Sequence, residues 1–176
     1  MTLINEGKLV YVVQGTYYVS AHPDATFSTV LGSCISVCLY DPLAAIGGMN
    51  HFLLPGGRGT DSGHIRFGVN AMEKLINELL KNGACKTRLL AKVFGGARMS
   101  TTLSDIGGQN AAFTHTFLTN EGITSVSESV GGSLARRVIF RPTTGHAKML
   151  FVQGAVELNE VPPPRQQPQT GNMVLF

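Results

Sequence analysis

Two residues carry chemistry that their neighbours do not explain. Cys34 follows directly on Gly32-Ser33, at a break in the apolar segment 30–39. His51 interrupts the apolar run Met49-Asn50-His51-Phe52-Leu53-Leu54-Pro55, seventeen positions later. A cysteine after Gly-Ser, at a break in a strand, can sit on a tight turn. Such a turn exposes the sulfur and aims backbone N–H groups at it, which favours the thiolate and can hold an oxyanion. Taken alone, a free cysteine is more often plain core, and a histidine among apolar neighbours is more often a buried ring bonded to a carbonyl. The chain path shifts that balance. Cys34 begins one strand, His51 lies towards the end of the next, and Asp41-Pro42 is a turn signal between them. An antiparallel pairing of these strands sets both residues near the same end of the hairpin. A Cys–His pair within hydrogen-bond reach is an activated nucleophile.

Ser28 and Thr29 are the candidate third members: a hydroxyl just before Cys34 can orient the imidazole or bond a substrate amide. As ordinary strand residues they need neither role, so the choice between them stays open. Gly32 and Ser33, with Thr29, are the candidates for binding an oxyanion or substrate. Cys38 has no adjacent glycine and reads as core, and Cys85 has no evident role. The five histidines and three cysteines show no ligand spacing, so no metal site is expected.

The elements that must position these residues are mixed. Segments 9–19, 30–39 and 46–54 read as strands, the second broken at Gly32-Ser33. A helix is predicted over 65–82, because Met72, Leu75, Ile76, Leu79 and Leu80 repeat at three-four spacing and Asn82-Gly83 follows. A strand at 87–94, a helix at 106–119 and strands at 123–128, 137–142 and 147–153 complete the body, with Thr143-Thr144-Gly145 as a hairpin turn. The Gly pairs, among them Gly47-Gly48 and Gly95-Gly96, read as turns, since none completes a phosphate-binding fingerprint. The pattern predicts an α+β class: a mixed sandwich of two packed sheets flanked by two helices, one on each outer side. Residues 1–158 read as a single domain. Residues 159–176, opening on Pro162-Pro163-Pro164, read as a flexible Pro/Gln-rich tail.

Composition removes several function classes. Apolar residues are 43% of 176 and charged residues only 14%, which suits a packed core rather than disorder. The net charge of +3 is small and scattered, and aromatic residues are sparse, so nucleic acid is not an expected partner. No apolar stretch of spanning length and no leader are evident, so membrane insertion is not expected. An odd set of unpaired cysteines suits a reducing, cytoplasmic setting.

Taken together, Leu31-Gly32-Ser33-Cys34, Leu39-Tyr40-Asp41-Pro42 and Gly47-Gly48-Met49-Asn50-His51-Phe52-Leu53-Leu54-Pro55 resemble the CheD family of chemoreceptor glutamine deamidases. The resemblance continues through Phe94-Gly95-Gly96-Ala97, Ile106-Gly107 with Asn110, Gly131-Gly132, Arg136 and Thr144-Gly145. It implies a cysteine hydrolase that converts glutamines of methyl-accepting chemotaxis receptors to glutamate through a thioester, releasing ammonia and needing no cofactor. Cys34 would be the nucleophile and His51 the base. The family's third residue is a threonine six positions before the cysteine, where this chain has Ser28, with Thr29 next to it. Gln109 stands where a basic residue is common, and Ser133-Leu134 replaces the usual Asn-Arg. The implied fold is an α/β sandwich similar to the catalytic domain of the cytotoxic necrotizing factor toxins. A CheC-type phosphatase is an implied partner. A second reading is an adaptor that binds receptors or such a phosphatase without catalysis.

Overall fold

A computed structural model of the chain describes residues 2–55, 62–102, 104–153 and 173–176. Ten strands form two five-stranded sheets. One sheet has the order β2(Tyr17–Ser20), β5(Ile46–Asn50), β4(Ile35–Asp41), β6(Leu90–Gly95), β7(Thr124–Val130). The other has the order β1(Leu9–Tyr11), β3(Thr26–Leu31), β8(Ala135–Arg141), β9(His146–Val152), β10(Met173–Leu175). Pairing is antiparallel except for β1 with β3 and β6 with β7, so both sheets are mixed. The helices are α1(Ser62–Lys81) and α2(Ile106–Glu121). The architecture is therefore the expected α+β sandwich with two helices.

Both helices lie on the same side. α1 packs on β2 and β5, α2 packs on β4 and β7, and the two touch each other. The expectation of one helix on each outer side is thus corrected. The reason is visible in the strands. β4 is buried at every position, as a strand covered on both faces must be. β8 alternates between buried and exposed beyond Arg136, the mark of a sheet with one wet face. Val37, Leu39, Met72, Leu75, Leu79 and Phe117 fill the layer between helices and the first sheet. Phe27, Leu31, Met49, Phe94, Val138 and Phe140 fill the layer between the sheets.

Three further differences bear on the site. Segment 9–19 is two strands, β1 and β2, which belong to different sheets and are joined by a turn at 13–16. The break at Gly32-Ser33-Cys34 is likewise a crossing from β3 in one sheet to β4 in the other. Gly47-Gly48 is not a turn but part of β5, where a Cβ on Gly48 would meet Leu75 of α1 and Val19 of β2 at 2.7 Å. Of the expected tail, residues 159–172 lie outside the described residues, as does the loop at 56–61. Val174 and Leu175 continue the second sheet by pairing with Met149 and Lys148. The Phe176 ring meets Phe94 edge-on at 5.4 Å.

Candidate active site

The site forms at the open end of the β4–β5 hairpin. The hairpin register pairs Cys38 with Met49, and the same register reaches an isolated bridge between Ile35 and Phe52. Ile35 and Phe52 exchange two backbone hydrogen bonds of 2.9 Å and face the helices. Strand pleat then turns Cys34 and His51, each one residue away, to the opposite face, between the sheets. They sit diagonally across the pair, a relation that sets Cα atoms about 7–8 Å apart and lets longer side chains meet. Sequence reasoning placed both residues at this end.

The nucleophile turn is held by its carbonyls. Ala97 N–H donates to Gly32 O at 2.9 Å, and Gly96 N–H donates to Cys34 O at 2.8 Å. The Asn110 side chain donates to Ser33 O at 2.8 Å. Gly95 has a φ of 111°, and a Cβ there would collide with the Cys34 carbonyl, so glycine is required where β6 closes on the turn. With three successive carbonyls tied, the peptide planes are fixed. Among the described residues the Ser33 N–H has no acceptor, and the Cys34 N–H favours its own thiolate. Burial outweighs that donor and pushes the Cys34 thiol up to about 11. The expected thiolate is therefore not the resting state: Cys34 is a neutral thiol, and its Sγ donates to Gln14 Oε1 at 3.5 Å.

His51 is 7% exposed. Its Nδ1 lies 3.1 Å from the Val12 carbonyl and 2.8 Å from Thr29 Oγ1, and Thr29 Oγ1 donates to the same carbonyl at 2.7 Å. A carbonyl only accepts, so Nδ1 carries the hydrogen, and the Thr29 hydroxyl, its proton engaged by Val12, accepts from it too. That assigns the lone pair to Nε2, which is buried and has no partner among the described residues. Burial lowers the pKa of His51 and the Val12 carbonyl opposes it more weakly, so the ring is neutral at pH 7.

Of the two hydroxyls left open, Thr29 meets the imidazole. Phe27, Thr29 and Leu31 share the inward face of β3, and Ser28 occupies the opposite one. Ser28 is buried beside Tyr11 and Ile139 in the ladder and makes no hydrogen bond to His51 among the described residues. Gly32 and Ser33 lie in the nucleophile turn.

Gln14 and Asn110 were not singled out as site residues by the sequence. Asn110 is fully buried on α2; besides Ser33 O, it accepts from Leu54 N–H at 2.9 Å. One carboxamide thus straps the nucleophile turn to the segment following His51. A polar amide inside a predicted helix, and its place in the family resemblance beside Ile106-Gly107, are the sequence signals for it. A cleft of about 470 Å³ lined by Glu128, Gly131, Gly132, Leu134, Arg136 and Phe151 lies nearby, tied to the site by Arg98 N–H bonding Gly132 O. Among the described residues no cluster of His, Cys, Asp or Glu fits a metal, and no helix is long and apolar enough to cross a membrane.

Comparison with known proteins agrees along nearly the whole chain. A protein from Ruegeria sp. (strain TM1040), named probable chemoreceptor glutamine deamidase CheD 1, is 47% identical over 95% of both chains. Proteins named probable chemoreceptor glutamine deamidase CheD from Agrobacterium fabrum and Rhizobium etli are 45% and 46% identical, covering 96% and 99% of this chain and 97% and 100% of theirs. A Neisseria meningitidis protein of the DUF152 type overlaps in structure with a TM-score of 0.47 at 10% identity, over 72% of this chain and 64% of that one. The model of CheD, described as chemotactic sensory transduction, matches residues 53–150. With that match over more than half of its length and relatives this similar from end to end, the chain belongs to the CheD family.

Proposed function

We propose that this chain hydrolyses glutamine side chains of chemoreceptors to glutamate and ammonia, with Cys34 as nucleophile and His51 as base. The relatives' names supply the substrate class. The observation that carries the chemistry is the orphaned His51 Nε2, a buried lone pair held between the sheets on the same face as Cys34. A protein seldom buries a polar atom without a partner unless the position does work.

In this mechanism Nε2 takes the Cys34 proton as the sulfur attacks the amide carbon. Because burial disfavours both charged forms, proton transfer and attack proceed together rather than from a stored ion pair. The Ser33 and Cys34 N–H groups receive the tetrahedral oxyanion, each such donor being worth about 3 kcal/mol. The C–N bond then breaks, and the imidazolium gives its proton to the leaving ammonia. A water deprotonated by Nε2 hydrolyses the thioester, and the freed thiolate recovers its proton from the imidazolium. Thr29 and the Val12 carbonyl hold the ring tautomer throughout.

A CheC-type phosphatase is proposed as a partner on the strength of the family resemblance. The test is mass spectrometry of receptor peptides incubated with wild type and Cys34→Ala. Wild type is expected to add about 1 Da at selected glutamines, and Cys34→Ala to add none while keeping its circular dichroism. Conversion by Cys34→Ala at the wild-type rate would exclude Cys34, and no conversion by wild type would favour the adaptor reading.

A further inference from the structure

Gln14 is the one side chain that meets the Cys34 sulfur through a hydrogen bond among the described residues, and it is a carboxamide. It occupies the second position of the turn 13–16, followed by Gly15 with a φ of 85°, the left-handed residue a type II turn needs. Thr16 N–H and Oγ1 both bond the Val13 carbonyl, at 3.1 and 2.7 Å, and close the turn. The turn is stitched to the base: Gly15 N–H donates to His51 O at 2.7 Å, and His51 N–H donates to Thr16 O at 3.1 Å. Val12, next in the chain, holds Nδ1. The backbone beneath Gln14 is thus fixed to the His51 segment, while the side chain is exposed and, among the described residues, hydrogen-bonds only the thiol.

Two facts define what this contact can be. The carboxamide oxygen, not the carbon, faces the sulfur, and it holds the thiol hydrogen that the proposed mechanism passes to His51 Nε2. The arrangement is therefore one of occupancy rather than attack. It is also chemically the arrangement a glutamine substrate must enter. We propose that Gln14 is a specificity-determining residue of this site: its carboxamide holds the resting thiol where the substrate carboxamide binds, so that only a group able to replace that hydrogen bond gains the nucleophile. Small electrophiles and apolar side chains leave the Gln14 bond unchallenged. A glutamine side chain exchanges one carboxamide for another and frees the thiol hydrogen to turn towards Nε2. This deepens the deamidase reading above and rests on it.

The test uses full-length protein carrying Cys85→Ser, so that labelling at Cys85 does not mask Cys34. Labelling of Cys34 by methyl methanethiosulfonate, a small electrophile without a carboxamide, is followed by mass spectrometry beside deamidation of a receptor peptide. Gln14→Ala is expected to label several-fold faster and to lower KM several-fold, the change falling on KM rather than kcat. The isosteric Gln14→Glu, a stronger acceptor that also repels the thiolate, is expected to label more slowly than wild type. Unchanged labelling in both variants overturns the proposal. So does a loss confined to kcat, which would make Gln14 a donor to the transition state, or a gain of about 1 Da at Gln14 itself, which would make it a substrate. Labelling that shifts as expected in a protein that leaves every receptor glutamine intact would refute the deamidase reading and keep the thiol contact, so the two failures are told apart.

Discussion

The two ends of the β4–β5 hairpin each bury titratable groups and treat them in opposite ways. At the closed end Asp41 has no exposed side-chain surface, and every oxygen is spoken for. Arg88 grips it through Nε and Nη2, the latter at 2.8 Å, and the N–H groups of Leu43, Ala44 and Cys85 complete the shell. The Arg88 guanidinium foremost, helped by those N–H donors, holds the carboxyl well below the usual carboxylate range. At the open end, His51 and Cys34 are driven towards their neutral forms by burial, and Nε2 has no partner among the described residues. A satisfied buried charge supports the fold. An unsatisfied buried lone pair costs stability and is kept where chemistry uses it.

That contrast is broken most directly by exchanging the losses. His51→Ala is expected to lower deamidation by about a thousandfold, with Tm close to wild type, because removal of the buried Nε2 orphan offsets the lost Nδ1 hydrogen bonds and the cavity left by the ring. Asp41→Asn is expected to lower Tm by roughly 5 °C while the folded fraction keeps its activity. Calorimetry beside the peptide assay separates the two, and a variant that loses both properties at either end would erase the distinction. The sign with pH follows. A depressed carboxylate contributes stability that is complete above its unfolded pKa and is lost as pH falls towards its folded one, so the Asp41 contribution begins to fade below about pH 4 and is gone only in strong acid.

A smaller effect sharpens the choice of orienting hydroxyl. Thr29→Val is expected to lower kcat by roughly tenfold, a modest loss because the Val12 carbonyl still holds the Nδ1 hydrogen. Ser28→Ala should leave kcat near wild type, measured in the same assay. A large loss from Ser28→Ala with none from Thr29→Val would reverse the assignment.

What the sequence made legible is local. Gly32-Ser33-Cys34 reads as a break because glycine and serine interrupt an apolar run, and His51 stands out against its neighbours. Asp41-Pro42 reads as a turn, and with the pairing it sets Cys34 and His51 at one end. The rest depends on partners distant in sequence. Gln14 reaches Cys34 across 20 positions, and Asn110 reaches Ser33 across 77. Whether Ser28 or Thr29 faces His51 is a matter of pleat parity, and a single-residue offset reverses it. Segment 9–19 shows one continuous β-rich composition although Gly15 divides it between two sheets. The apolar Val174-Leu175-Phe176 was hidden behind a Pro/Gln-rich composition, and both helices fall on one sheet because only that sheet has two apolar faces.

The proposed catalysis turns on a neutral imidazole whose Nδ1 carries the hydrogen and whose Nε2 is free to accept one. Nitrogen-15 NMR of His51 across a pH titration reads tautomer and charge together. The expected result is a neutral ring at pH 7, protonated at Nδ1, titrating below the ordinary histidine value of about 6.5. An imidazolium at pH 7, or a hydrogen resident on Nε2, would contradict it.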